Sequence, residues 1–122
     1  MVRDMALTAH MVTIDCADPV RLAGFWSDAA GYRITWDQAG GEFLVLGPVA
    51  GDGVSLGLQR VPEPRAGKNR VHVDWSASDR RAEVERLRGL GARVLGEHAV
   101  PGLAWTVLAD PEGNEFCVSG RE

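Results

Sequence analysis

Two copies of a βαβββ unit, giving an α+β fold, are predicted by three features of the sequence. The chain repeats itself: Val12-Thr13-Ile14-Asp15 returns 59 residues later as Val71-His72-Val73-Asp74, and Gly31-Tyr32-Arg33-Ile34 returns 60 residues later as Gly91-Ala92-Arg93-Val94. Within each copy an aspartate, Asp18 or Asp79, precedes apolar residues at helical spacing. After each helical stretch the apolar period falls to two, as in strands. A unit of this length is too long for a solenoid repeat, so two copies filling the chain read as a duplicated half-domain.

The first strand has two faces, with Val12, Ile14 and Cys16 on one and Met11, Thr13 and Asp15 on the other. Asp18 then offers a side-chain acceptor to the free N–H groups of a helix start. Pro19 sits at the first helical position, where its missing N–H costs nothing. Leu22, Phe25, Trp26, Ala29 and Ala30 form one stripe of that helix, and Gly31 supplies a left-handed stop. Strands follow over 32–36, 43–46 and 54–59. Residues 61–69, with two prolines and a glycine, hold too many breakers for an element and form the linker between half-repeats of about 10–60 and 70–119.

In the second half Val71, Val73 and Trp75 alternate with His72, Asp74 and Ser76. Asp79 caps a more polar helix marked by Val84, Leu87 and Gly91. Strands are expected over 92–95, 103–109 and 115–119, the last two joined by the turn Asp110-Pro111-Glu112-Gly113-Asn114. The stretch 96–102 reads as a loop, from which His98 could close over a pocket. The last strand places Phe116 and Val118 on one side and Glu115, Cys117 and Ser119 on the other.

Composition sets the outer limits. The 122 residues leave room for one domain, and 45% hydrophobic with 25% charged residues is the balance of a globular protein rather than a disordered one. No apolar run approaches the length of a membrane span, and the first seven residues lack the apolar stretch of an export signal. A net charge of −4, with only Arg65, Lys68 and Arg70 forming a basic group, argues against nucleic acid as a partner. Cys16 and Cys117 lie in strand-like runs without a disulfide pattern, so a reducing, cytoplasmic setting is expected.

The succession of Phe25-Trp26, Gly31-Tyr32, His72, Asp79, Leu87 and Gly91, closing on Asp110-Pro111-Glu112-Gly113-Asn114, resembles the vicinal oxygen chelate superfamily. Its members include glyoxalase I, extradiol dioxygenases, and fosfomycin- and bleomycin-resistance proteins. Cys16-Ala17-Asp18-Pro19, Arg60-Val61-Pro62-Glu63-Pro64 and Lys68-Asn69-Arg70-Val71-His72 are similar to its small glyoxalase-like domains. The resemblance covers residues 10–119. It implies a concave sheet with helices on the convex side, a cavity on the concave side, and a homodimer that pairs βαβββ units. It implies no particular reaction, because the superfamily runs many on one scaffold.

On that resemblance the mixed strand faces line the cavity, which assigns Met11, Thr13, Asp15, Gln59, Glu115 and Cys117 to it beside His72 and Asp74. Trp26 and Trp75 read as core. Trp36 and Trp105 lie near strand ends, where core packing and an aromatic cavity wall are both open. The family's metal positions fall on Met11, Gln59, His72 and Cys117, a set without the carboxylates that suit a hard divalent cation. No metal is therefore required, although a divalent ion at His72 with Glu115 or Cys117 as co-ligands stays open. His72 and Asp74 are the candidate catalytic pair, because an imidazole titrates near neutral pH. Cys117 reads as a buried thiol rather than a nucleophile.

Three functions follow. The first is binding of a small aromatic or amphipathic molecule, for sequestration, resistance or metal-independent conversion. The second is a metal-dependent lyase or isomerase of glyoxalase type using His72. The third is a non-catalytic interaction module, for which no exposed apolar helix or charged tail speaks.

Overall fold

Both helices begin and end on the residues that the sequence marks. Helix α1 (Pro19–Ala30) opens with the Asp18 carboxylate accepting from Arg21 N at 3.2 Å, and α2 (Arg80–Leu90) with Asp79 accepting from Ala82 N at 3.1 Å. Each closes on a glycine in the left-handed region, Gly31 at φ 67° and Gly91 at φ 117°, where a side chain would be strained. The computed structural model describes residues 7–120, so the N-terminal stretch read as lacking an export signal lies almost wholly outside the described residues. Among the described residues no helix is long and apolar enough to cross a membrane.

The described residues also form eight strands: β1 (Met11–Cys16), β2 (Tyr32–Gln38), β3 (Phe43–Pro48), β4 (Ser55–Arg60), β5 (Val73–Ser76), β6 (Arg93–Val100), β7 (Leu103–Ala109) and β8 (Glu115–Gly120). They form two four-stranded sheets of the same order, β1-β4-β3-β2 and β5-β8-β7-β6. In each, the first and last strands of the half pair in parallel and the other neighbours are antiparallel. The repeat extends to an irregularity: the register shifts between Ile34 and Trp36 in one sheet and between Val94 and Gly96 in the other.

One face of each sheet packs on the helices. Leu22, Phe25 and Trp26 of α1 join Leu44, Leu46, Leu56 and Leu58, while Val84 and Leu87 of α2 join Leu108, Phe116 and Val118 in the same buried cluster. Each such large side chain contributes roughly 1.5–3 kcal/mol by leaving water. The halves also meet where the Arg86 guanidinium donates to the carbonyls of Asp28 and Ala29 at 2.9 and 2.7 Å, placing a cation at the C-terminal end of α1. The opposite sheet faces carry no helix.

Two boundaries differ from the sequence expectation. Strand β6 runs to Val100 and pairs with β7 down to Val100 and Leu103, so the stretch expected as a loop over 96–102 is mostly strand. Only Pro101 and Gly102 turn the chain. His98 is accordingly a strand residue stacked on Trp105, with ring centroids 5.4 Å apart and planes at 24°. Strand β5 begins at Val73, the register partner of Phe116, which leaves Val71 and His72 ahead of the strand.

Candidate functional site

The edge strands β1 and β5 of the two sheets flank a cleft of about 770 Å³. Trp26, Trp75 and Phe116 give it an aromatic lining. The two indoles stack at 5.4 Å with planes at 24°, and Trp26 meets Phe116 edge-on at 4.8 Å. Such contacts hold the rings in fixed orientations. The Trp75 indole N–H is buried and has no acceptor among the described residues. Linker residues Val61, Pro64 and Ala66 complete the apolar part of the wall.

The turn at 110–114 fastens the two sides of this cleft together. Asp110 is buried, and its carboxylate accepts from the backbone N–H groups of Glu112 and Asn114 at 2.9 and 3.0 Å and from Trp26 Nε1 at 3.2 Å. Burial pushes its carboxyl above the ordinary range, while those bonds pull the other way. Glu112 reaches across to the start of α1 and accepts from Ala17 N and Asp18 N at 2.7 and 2.8 Å. Asn114 Nδ2 donates to the Asp15 carbonyl at 3.3 Å. A turn of the second half thus caps the helix of the first.

The residues selected from sequence divide between this cleft and the open sheet faces. Thr13, Asp15, His72 and Glu115 line the cleft. Met11, Trp36 and Gln59 belong to the first sheet, where Thr13 and Met11 crowd Gly57 and Trp36 meets Phe43 edge-on at 6.0 Å. Asp74, Trp105 and Cys117 belong to the second sheet. Trp26 and Trp75, expected as core, pack in the core and also line the cleft. Sequence reasoning missed the contributions of Asp110 and Glu112, because a turn motif says nothing of what its side chains reach. It also missed Glu63, Arg65 and Asn69, which lie in the linker and line the cleft.

His72, Asp74 and Cys117 offer one ligand atom each, all within 4.8 Å of one another. Asp74 and Cys117 are register partners on β5 and β8, and His72 Nε2 lies 3.4 Å from Asp74 Oδ1. Three donors meet the minimum for an open zinc site, and this nitrogen, oxygen and sulfur set suits a borderline metal such as zinc rather than magnesium. The thiol opposes loading: burial, then the Asp74 charge and a hydrogen bond to Asp74, push Cys117 up to about 11, so a metal must displace a proton to bind sulfur. Burial and then the charges of Glu112 and Asp110 push Cys16 up to about 12, and its Sγ donates to the Gln59 carbonyl at 3.6 Å. Both thiols are free and buried, and neither has the environment of a nucleophile.

The sequence matches the family model described as "Glyoxalase-like domain" over residues 11–119. No curated protein matches the chain. Similar folds occur among solved structures. A glyoxalase/bleomycin resistance protein/dioxygenase family enzyme from Burkholderia phytofirmans PsJN is 16% identical with a TM-score of 0.72, covering 90% of this chain and 95% of its own. TnmS3, an antibiotic binding protein from Streptomyces sp. CB03234, is 22% identical with a TM-score of 0.73, covering 98% and 100%. Lactoylglutathione lyase from Agrobacterium tumefaciens is 19% identical with a TM-score of 0.69, covering 96% of each chain. At these identities the likeness concerns the fold.

Proposed function

Because this chain belongs to the glyoxalase-like domain family of the vicinal oxygen chelate superfamily, a scaffold that fixes no single reaction, we propose that it binds a small aromatic or amphipathic molecule without needing a metal. The observation that carries this proposal is the cleft lined by Trp26, Trp75 and Phe116, whose volume falls in the range of small-molecule sites. The antibiotic-binding protein TnmS3 has a similar fold and supports it. Sequestration needs no more than such a surface. Conversion would need a base, for which His72 beside Asp74 is the candidate. Amide and indole NMR with acridine as probe tests the site. Shifts concentrated at Thr13, Val71, Val73 and the indole N–H groups of Trp26 and Trp75 are expected. Shifts confined to the open sheet faces would overturn the assignment.

The cluster of His72, Asp74 and Cys117 favours a second reading, a metal-dependent lyase or isomerase, and lactoylglutathione lyase shares the fold. These three residues would hold the ion, which would polarise a substrate carbonyl. Elemental analysis of protein purified without chelator separates the two readings, since the first expects no stoichiometric metal.

We further propose a homodimer, because the exposed Ile34, Trp36 and Leu95 leave apolar surface on both sheets, and a cytoplasmic location, where two free thiols stay reduced. Sedimentation velocity tests the first: a monomer at tens of micromolar would contradict it.

A further inference from the structure

Building on the small-molecule reading, we infer that the cleft selects cationic aromatic molecules over neutral and anionic ones of the same shape. Among the described residues its lining holds five carboxyl groups, on Asp15, Glu63, Asp110, Glu112 and Glu115, against one guanidinium, on Arg65. The chain as a whole has 17 acidic and 13 basic residues, so its acidic excess is concentrated at this site.

Not all of these charges face a ligand equally. Asp110 and Glu112 are engaged by the N–H groups that staple the two halves. The carboxylates of Asp15, Glu63 and Glu115 have no ion-pair partner among the described residues. The one guanidinium is turned to its own loop, where Arg65 Nη1 donates to the Gly67 carbonyl at 2.6 Å and to Asn69 Oδ1 at 3.1 Å. A ligand therefore meets unpaired negative charge in a cleft whose lining also includes Trp26, Trp75 and Phe116. The apolar walls of low dielectric focus the field of these carboxylates, which favours a cation. An anion of the same shape meets repulsion from the same carboxylates.

The test uses three flat tricyclic probes at about pH 7.5, where 9-aminoacridine is a cation, acridine is neutral and acridine-9-carboxylate is an anion. Calorimetric titration of the full chain is expected to rank them in that order, with the cation bound about tenfold tighter than acridine at low salt. That advantage should shrink to about twofold as NaCl rises from about 20 to about 500 mM. The double variant Glu63→Gln with Glu115→Gln should lose most of the advantage. The control pair Glu42→Gln with Glu85→Gln, which removes two charges outside the cleft, should keep it. Acridine bound as tightly as 9-aminoacridine overturns the charge selection and leaves the small-molecule reading in place. A preference that survives both salt and the double variant also overturns it. Failure of all three probes to bind overturns the small-molecule reading together with the inference.

Discussion

Removing the Glu112 carboxylate should loosen the join between the two halves. Its two oxygens receive Ala17 N and Asp18 N at 2.7 and 2.8 Å, ahead of the first turn of α1, across a sequence separation of more than 90 residues. Hydrogen bonds to an ionised acceptor contribute about 1.5–3 kcal/mol each where water is excluded. This pair is reached by solvent, and the freed N–H groups can turn to water, so the lower end applies once and the second bond adds little more. Glu112→Ala is therefore expected to cost about 2 kcal/mol in total, including the lost interaction with the helix dipole. For a domain of this size that corresponds to a fall in Tm of about 6–10 °C. Glu112→Gln keeps one oxygen acceptor without its charge and should lose about half as much. Urea denaturation of the three proteins, with m compared alongside the midpoint, measures both effects. A cost below about 0.3 kcal/mol for Glu112→Ala, within the scatter of ordinary surface substitutions, would refute the idea that this turn holds α1 in place.

Other perturbations probe different parts of the structure. Trp26→Phe keeps a ring in the core but removes the donor to Asp110, and should cost about 1–3 kcal/mol in urea; a loss under about 0.5 kcal/mol would show that the indole bond contributes little. Gly120→Ala would bring a methyl to 3.0 Å from the Ala77 carbonyl oxygen and 3.1 Å from Arg80 Cβ, so destabilisation of about 1–3 kcal/mol is expected, and an unchanged midpoint would contradict that packing. Cys16 and Cys117 should resist iodoacetamide in the native protein at about pH 8 and react once unfolded; rapid native alkylation of either would contradict their burial. Both thiols ionise less readily folded than unfolded, so the stability they contribute is full below the ordinary thiol value near 9 and is lost as pH rises toward about 11 for Cys117 and about 12 for Cys16. Urea midpoints that rise through that window would reverse the sign.

Local signals were legible in the sequence wherever one residue type serves one backbone need. Asp18 with Pro19, Gly31, Asp79 and Gly91 mark the helices within a residue of where they begin and end. The repeat gave the matching element order of the halves because matched strands carry matched apolar phases, and the bulge that both share after Ile34 and Val94 is visible only in the structure. Pairing lengths were less visible. The polar stretch Gly96-Glu97-His98 looks like a loop by composition, yet β7 supplies a ladder that keeps it extended. Alternation sorted the faces of β1 and β8 correctly, since Val12, Ile14, Phe116 and Val118 all pack in or against the core. It could not say how two separate sheets would sit against each other. That arrangement decides which candidates share a cleft, and it brings in Glu63 and Arg65 from a linker with no periodic pattern at all.

Intrinsic tryptophan fluorescence during titration with planar aromatic ligands, run in parallel with and without EDTA, bears most directly on the central proposal. Two of the four tryptophans line the cleft, so a ligand seated there must perturb the emission. The proposal expects saturable quenching or shift with the same affinity in both series, and no turnover of the methylglyoxal–glutathione adduct. Binding or turnover that appears only without EDTA and disappears in His72→Ala would contradict it and assign the chain to metal-dependent chemistry.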